Sequence, residues 1–235
     1  MSAIRRVLYG WRKYALAVVA LAGVGTGADR GLARWPEKSA AEAFQEAQDL
    51  PTTPEVHVRG FPVLTQAAGG SLDRVDVTAD DVPGRGARPV PVTRLDVRLD
   101  HVRRAGEAGA AHADTARATA YLSCADLSSA LGIDIRSAGD GRVTAGTAPP
   151  LLGEATASAR LAVSGTRGIV FRDVEVDARP PARLRTAVAG ALGRGITLEG
   201  VPGNLRLIRL TTGEDGIRAD LAGENVTFRT DEERA

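Results

Sequence analysis

The chain has 235 residues, enough for one domain of ordinary size and an accessory segment. Its formal net charge is +1, but four basic residues precede position 14, so the remainder is slightly acidic and lacks the charge of a nucleic-acid-binding protein. The single cysteine, Cys124, excludes an intrachain disulfide and a thiolate metal cluster within one chain.

The amino-terminal segment has the pattern of an export signal. Arg5, Arg6, Arg12 and Lys13 precede an uncharged run, 14–28, which is shorter than the roughly 20 residues that span a bilayer and ends in small residues. Residues 1–28 are therefore predicted to be a signal peptide or an N-terminal membrane anchor. Either alternative predicts an extracytoplasmic protein that is secreted or membrane-associated.

The next segment, from Pro36 to Leu50, is predicted to be an amphipathic helix. Ala40, Phe44 and Ala47 recur at helical spacing, and acidic residues occupy another face. Pro51 and the prolines beyond it end the helix. We expect this helix to pack on the body of the protein, because its polar face is acidic where a membrane-surface helix is usually basic.

A short strand then leads into an apolar turn. Val56 and Val58 alternate with polar residues, and the turn Gly60 to Gln66 presents Phe61, Val63 and Leu64 together. Two interpretations stay open: these side chains plug one end of the core, or they contact an apolar ligand.

The remainder alternates with a period of two residues, which is typical of half-buried strands. Two short helices interrupt the series, one from about Cys124 to Leu131 with Gly132 as its end, and one from Pro181 to Leu192. The segment from Arg104 to His112 is predicted to be a loop. The pattern predicts an α+β fold, in which the helices lie against one long antiparallel meander. We expect a single domain over residues 29–229 and a polar tail over 230–235.

No motif for catalysis or cofactor binding is present. His57, His101 and His112 lack metal-ligand spacing, and neither a nucleophile elbow nor a phosphate-binding glycine loop occurs in a usable context. We therefore predict a protein that is not an enzyme and that needs no cofactor or metal. An apolar sheet face lined by small side chains, with a helix to cover it, either closes into a packed core or leaves a cleft for acyl chains.

The sequence resembles the LmeA-like family of phospholipid-binding proteins, exported proteins of the bacterial cell envelope. The matching elements are Leu50-Pro51, Val56-x-Val58-x-Gly60-Phe61-Pro62-x-Leu64-Thr65-Gln66, Gly70-x-Leu72-x-x-Val75-x-Val77, the strand from Ala116 leading into Ala125-Asp126-Leu127, Leu131-Gly132, and Gly216-Ile217-Arg218. The resemblance implies phospholipid binding, a role in envelope lipid or lipoglycan metabolism, and a curved sheet that wraps a helix, as in tubular lipid-binding folds.

The resulting hypothesis is a phospholipid-binding protein that works near a membrane surface. The predicted groove lining is Phe61, Val63, Leu64, Val75, Val77, Leu127 and Leu131. Arg59 and Arg74 are predicted to meet the headgroup phosphate, because a guanidinium presents two parallel donors. The alternative is a structural or scaffolding envelope protein with a fully packed core.

Overall fold

The computed structural model describes residues 54–84, 90–104, 110–147, 155–177, 181–198, 201 and 204–229. The predicted leader, the predicted helix from Pro36 to Leu50 and the predicted tail lie outside these residues. The described part contains eleven strands and three helices. The strands are β1 (Glu55–Arg59), β2 (Ser71–Val82), β3 (Val92–Arg104), β4 (Ala110–Ser123), β5 (Asp134–Gly139), β6 (Arg142–Thr147), β7 (Ala155–Ser164), β8 (Gly168–Val176), β9 (Ile196–Thr197), β10 (Arg206–Thr212) and β11 (Gly216–Arg229). The helices are α1 (Val63–Ala68), α2 (Cys124–Leu131) and α3 (Ala182–Gly193).

The strands form two antiparallel sheets. The first is six-stranded, in the order β1-β2-β3-β4-β11-β10, and curls into a half-barrel. The second is five-stranded, in the order β5-β6-β7-β8-β9. The antiparallel pairing is as predicted, but the single meander is wrong, because β11 returns to pair with β4 along almost its whole length. Alternation identifies strands but does not specify which strands pair.

The connection between β3 and β4 is shorter than predicted. Arg104 ends β3, and Ala110 begins β4, so only 105–109 of the predicted loop lies outside the strands, and these residues are not described. The loop was predicted too long because the alternation of inward and outward side chains is interrupted at one level of the sheet. There, each of four neighbouring strands has two successive residues that point away from the core: Asp73 and Arg74 in β2, Asp100 and His101 in β3, Asp114 and Thr115 in β4, and Glu224 and Asn225 in β11.

This interruption leaves the strand register unchanged, because every strand carries it at the same level. His101 and Asn225 adopt positive φ angles of 52° there, a conformation that Asn and His tolerate better than most residues. An extra residue in the pleat bends a strand and increases its twist. Four aligned interruptions therefore contribute to the curl of the six-stranded sheet.

The two longer helices agree with the sequence-based predictions. Ser123 caps α2 by accepting a hydrogen bond from the Asp126 backbone N–H at 3.0 Å, and Gly132 ends the helix with a φ of 68°. The α3 helix follows Pro181 and packs on β6, β7 and β8 through a buried stripe that includes Leu184, Val188 and Leu192. The predicted turn after Gly60 also contains the short helix α1.

Candidate functional site

The inner face of the six-stranded sheet is apolar across five strands. Residues that are direct partners across the strands share this face, and two neighbouring rows run from β1 toward β11. One row consists of Val56, Val77, Val97, Ala118 and Leu221; the other consists of Val58, Val75, Leu99 and Ala116. Most of these side chains are buried, and the rest are partly buried against the core.

Alanine occupies the inner positions along β4. We call Ala111, Ala113, Ala116, Ala118 and Ala120 the alanine row, and all five are buried. Larger side chains flank the row, such as Leu99 in β3 and Leu221 in β11. Because a methyl group projects less than the larger side chains of β3, the alanine row is a low strip of the inner face, which we call the trough; on the β11 side Leu221 is larger, but Gly223 and Ala219 are not. From Ala111 to Ala120 the row is roughly 30 Å long at the usual strand rise.

The outer face of the same sheet carries cross-strand ion pairs. Arg59 Nε lies 3.2 Å from Asp76 Oδ2, and Arg74 Nε donates to Asp100 Oδ1 at 2.8 Å. Arg98 approaches the other oxygen of Asp76 at 3.4 Å. Each arginine here neutralises a carboxylate on a neighbouring strand, an arrangement that stabilises strand pairing modestly.

Asp100 lies at the centre of this network. Burial alone would raise the pKa of Asp100, but hydrogen bonds from Arg74 and Thr115, together with the charges of Arg74 and Arg98, lower that pKa below its ordinary value. The hydrogen bond and charge of Asp100 in turn raise the pKa of Arg74. Arg74 is therefore held by a protein carboxylate at the position where a headgroup phosphate was predicted.

The structure separates the predicted lining residues into three places. Val75 and Val77 are buried on the inner face, whereas the predicted headgroup residues Arg59 and Arg74 are on the outer face. Leu127 is buried and Leu131 partly buried on α2, which follows β4 at the opposite end of the sheet from the β1–β2 connection.

Phe61 and Val63 form the third place, in the connection between β1 and β2. Phe61 is 94% exposed and Val63 is 37% exposed, so the interpretation that they plug the core is wrong. Phe61 does not reach the buried inner face either. Leu64 belongs to α1, and its side chain lies outside the described part.

The polar side chains of the described residues form no metal centre. They contain no cluster of His, Cys, Asp and Glu that could hold a metal ion. A cavity of about 580 Å³ lies over β4 and β11, and its lining includes Arg117, Arg206 and Glu224, so it is a polar depression. Burial raises the pKa of the Cys124 thiol, which disfavours the reactive thiolate.

Comparison with known proteins identifies the family. The family model described as "LmeA-like phospholipid-binding" matches residues 27–222, which is most of the chain. The protein belongs to the LmeA-like family. No curated protein and no solved structure matches the chain.

Membership of the LmeA-like family directs attention to the apolar face rather than to the polar cavities. The sequence analysis assigned Val75 and Val77 to the groove lining but did not include Leu99, the partner of Val75, or Leu221, the partner of Ala118. The signal was present for Leu99, which lies between Arg98 and Asp100 as Val75 lies between Arg74 and Asp76. Within the described residues, no helix is both long and apolar enough to cross a membrane.

Proposed function

We propose that this LmeA-like protein binds a phospholipid by laying its acyl chains along the trough above the alanine row. The row itself supports the proposal, because its alanines have less side-chain volume than Leu95, Val97 and Leu99, their partners on β3. Val75 and Val77 belong to the proposed lining. Leu127 and Leu131 lie at the far end of the same sheet, where only an extended chain reaches them.

Hydrocarbon burial supplies enough free energy for such binding. Each buried methylene contributes about 0.8 kcal/mol, so roughly twenty methylenes exceed the cost of association and leave micromolar affinity or better. The bound state needs no covalent step, and the proposed role is to hold or carry lipid rather than to transform it.

The proposed location is outside the cytoplasm at a membrane surface, with residues 1–28 as signal peptide or anchor. This location rests on the basic residues before the apolar run 14–28. A role in envelope lipid or lipoglycan metabolism is the family's implication and is proposed here on that basis.

One observation favours the scaffolding alternative. Val75, Leu99 and Ala116 are buried in the structure, as they would be in a core filled by the protein's own atoms. A lipid-binding face and a packed core predict different changes in bound lipid and in thermal stability when a larger side chain fills the trough.

The test is Ala118→Leu in the full chain, with Ala222→Leu as the matched control on the outer face of β11. Lipids are extracted from purified protein and quantified by mass spectrometry, and thermal unfolding is measured on the same samples. We expect stoichiometric phospholipid in the wild type, and a severalfold loss in Ala118→Leu with little change in thermal stability. Ala222→Leu should retain the wild-type load, which controls for lipid that adheres elsewhere.

A packed core predicts a different result. The wild type would carry no more lipid than Ala118→Leu, and the extra atoms would destabilise the fold by about 1–3 kcal/mol through overpacking. That pair of results would support the scaffolding alternative and contradict the lipid-binding proposal.

A further inference from the structure

The connection between β1 and β2 displays apolar side chains to solvent. We call Phe61, Pro62 and Val63 the tip; all three are exposed, and Phe61 is 94% exposed. Two other phenylalanines in the described residues, Phe171 and Phe228, are buried in the core. Exposing almost all of a phenyl ring to water is unfavourable by itself. Its position therefore needs a reason other than the stability of the isolated fold.

The polar residues around the tip hold it in this position. Gln66 Oε1 accepts a hydrogen bond from the Asp73 backbone N–H at 2.8 Å, and the Gln66 backbone N–H donates to the Pro62 carbonyl at 3.3 Å. Gly60 has a φ of 111°, and a Cβ there would lie 2.5 Å from Gln66 Nε2. Gly60 and Gln66 thus hold the β1–β2 connection in a compact conformation. None of these contacts involves the Phe61 ring.

We propose that the tip inserts into the surface of a phospholipid bilayer and brings the trough to the leaflet. This proposal rests on the proposed lipid binding and adds the element that makes the membrane contact. The tip follows β1 directly, and Val58 of β1 pairs with Val75 on the inner face. An inserted tip therefore places that end of the apolar face next to the lipid tails.

The size of the tip favours a membrane over a protein partner. A stable protein interface buries about 800 Å² on each partner, far more than three consecutive side chains provide. A leaflet accepts a single amphipathic loop, because the ring enters the boundary between headgroups and tails while neighbouring cations face the phosphates. Two exposed arginines lie at this end of the sheet, Arg59 next to the tip and Arg103 on β3, and each is paired with a carboxylate, of Asp76 and Asp114 respectively.

The first experiment measures the environment of the tip in the full chain. Cys124→Ala removes the native thiol, and Phe61→Cys or Ile208→Cys then introduces a single site for an environment-sensitive NBD fluorophore. Ile208 is the matched control, because it is an apolar side chain of β10 that is 62% exposed but far from the tip in the strand order. The protein is mixed with vesicles of phosphatidylglycerol and phosphatidylethanolamine.

We expect vesicles to shift the emission of the label at position 61 to shorter wavelength and to leave the label at position 208 unchanged. Equal emission at both positions, in a sample that carries bound phospholipid, would overturn the tip proposal and leave the proposed lipid binding intact. A shift at position 61 that needs high protein concentration and no vesicles would also overturn it, since the tip would then contact a second copy. A vesicle-dependent shift in protein that never carries lipid would support the tip and contradict the trough.

The second experiment compares Phe61→Ser with Ile208→Ser, and follows the transfer of labelled phospholipid between vesicle populations. Loss of the ring should slow transfer roughly tenfold, whereas the phospholipid that copurifies with the protein stays at the wild-type level. Ile208→Ser should match the wild type in both measurements. Equal transfer rates for the two variants would contradict a membrane role for Phe61, and a parallel loss of bound lipid would instead assign Phe61 to the trough.

Discussion

The two faces of the six-stranded sheet are built from alternate residues of the same strands, yet they differ in almost every physical respect. The inner face carries Ala, Val and Leu in uninterrupted rows, and the outer face carries Asp, Arg and Thr in cross-strand pairs. Arg59, Arg74 and Arg98 each have a carboxylate within 4 Å. The outer face is thereby polar and its named arginines are already paired with carboxylates, so it offers little to a hydrocarbon chain or to a phosphate.

This difference shows that an arginine near a predicted groove in sequence is not necessarily near it in space. Arg74 and Val75 are adjacent in the chain but project from opposite faces of β2. A side chain one position away from a lining residue points away from the ligand. Residues two positions away, or one strand across, are the relevant neighbours.

The largest expected effect concerns the inner face. Leu99→Ala removes a buried side chain between Val75 and Ala116, and we expect the free energy of unfolding to fall by about 2–4 kcal/mol. Ile208→Ala, at an exposed position, should change it by less than about 0.5 kcal/mol. Urea unfolding of both variants measures the difference.

The same variants distinguish a lipid-filled trough from an ordinary core. If acyl chains occupy the trough, added phospholipid should recover part of the stability lost in Leu99→Ala, because a ligand that binds only the folded state stabilises it. A loss for Leu99→Ala as small as that for Ile208→Ala would contradict the assignment of Leu99 to the buried face.

A smaller effect is expected on the outer face, and it depends on pH. The pKa of Asp100 is lowered in the folded protein, so its ion pairs stabilise the fold above the unfolded-state pKa of about 3.9, and this contribution is lost as the pH falls through the lowered folded-state pKa. We expect Asp100→Asn to flatten the loss of thermal stability below about pH 4.

Thr115→Val provides the graded control, since it removes the 3.2 Å hydrogen bond to Asp100 Oδ2 and keeps the carboxylate. It should raise the folded-state pKa of Asp100 toward its ordinary value, so that the acid-induced loss of stability becomes smaller than in the wild type but stays larger than in Asp100→Asn. Unfolding midpoints from pH 2 to pH 6 test both variants. Superimposable acid profiles for Asp100→Asn and the wild type would show that this carboxylate does not stabilise the outer face.

The local structure could be predicted from the sequence wherever a single segment determines it. Ser123 and Gly132 bound α2 by capping, and the alternating valines of β1 and β2 fix which residues are buried. The return of β11 to β4 could not be predicted, because one strand of alternating apolar residues fits many partners equally well. The pairing depends on contacts between residues about a hundred positions apart, such as Thr119 with Asp220.

The candidate site could be predicted only in part for the same reason. Val75 and Val77 follow from alternation, whereas the grouping with Leu127 required knowledge of where α2 lies relative to β2. The interruption at Asp114 and Thr115 also hid Ala111 and Ala113, because two successive outward residues resemble the end of a strand. The exposure of Phe61 could not be predicted from the sequence, because an exposed apolar turn and a turn that plugs the core can contain the same residues.

The smallest expected effect is the one that tests the headgroup prediction. Arg59→Ala and Arg74→Ala should each leave the phospholipid load of the purified protein unchanged, because both guanidiniums lie on the outer face and are held by Asp76 and Asp100. Ala118→Leu serves as the positive control for loss of lipid.

The two arginines differ in one respect: Arg59 is on β1, the edge strand of the sheet, and Arg74 is on β2, the next strand inward. A headgroup that folds over the sheet edge would therefore make Arg59→Ala lose lipid and leave Arg74→Ala unaffected, whereas equal loss in both variants would contradict the assignment of the acyl chains to the inner face.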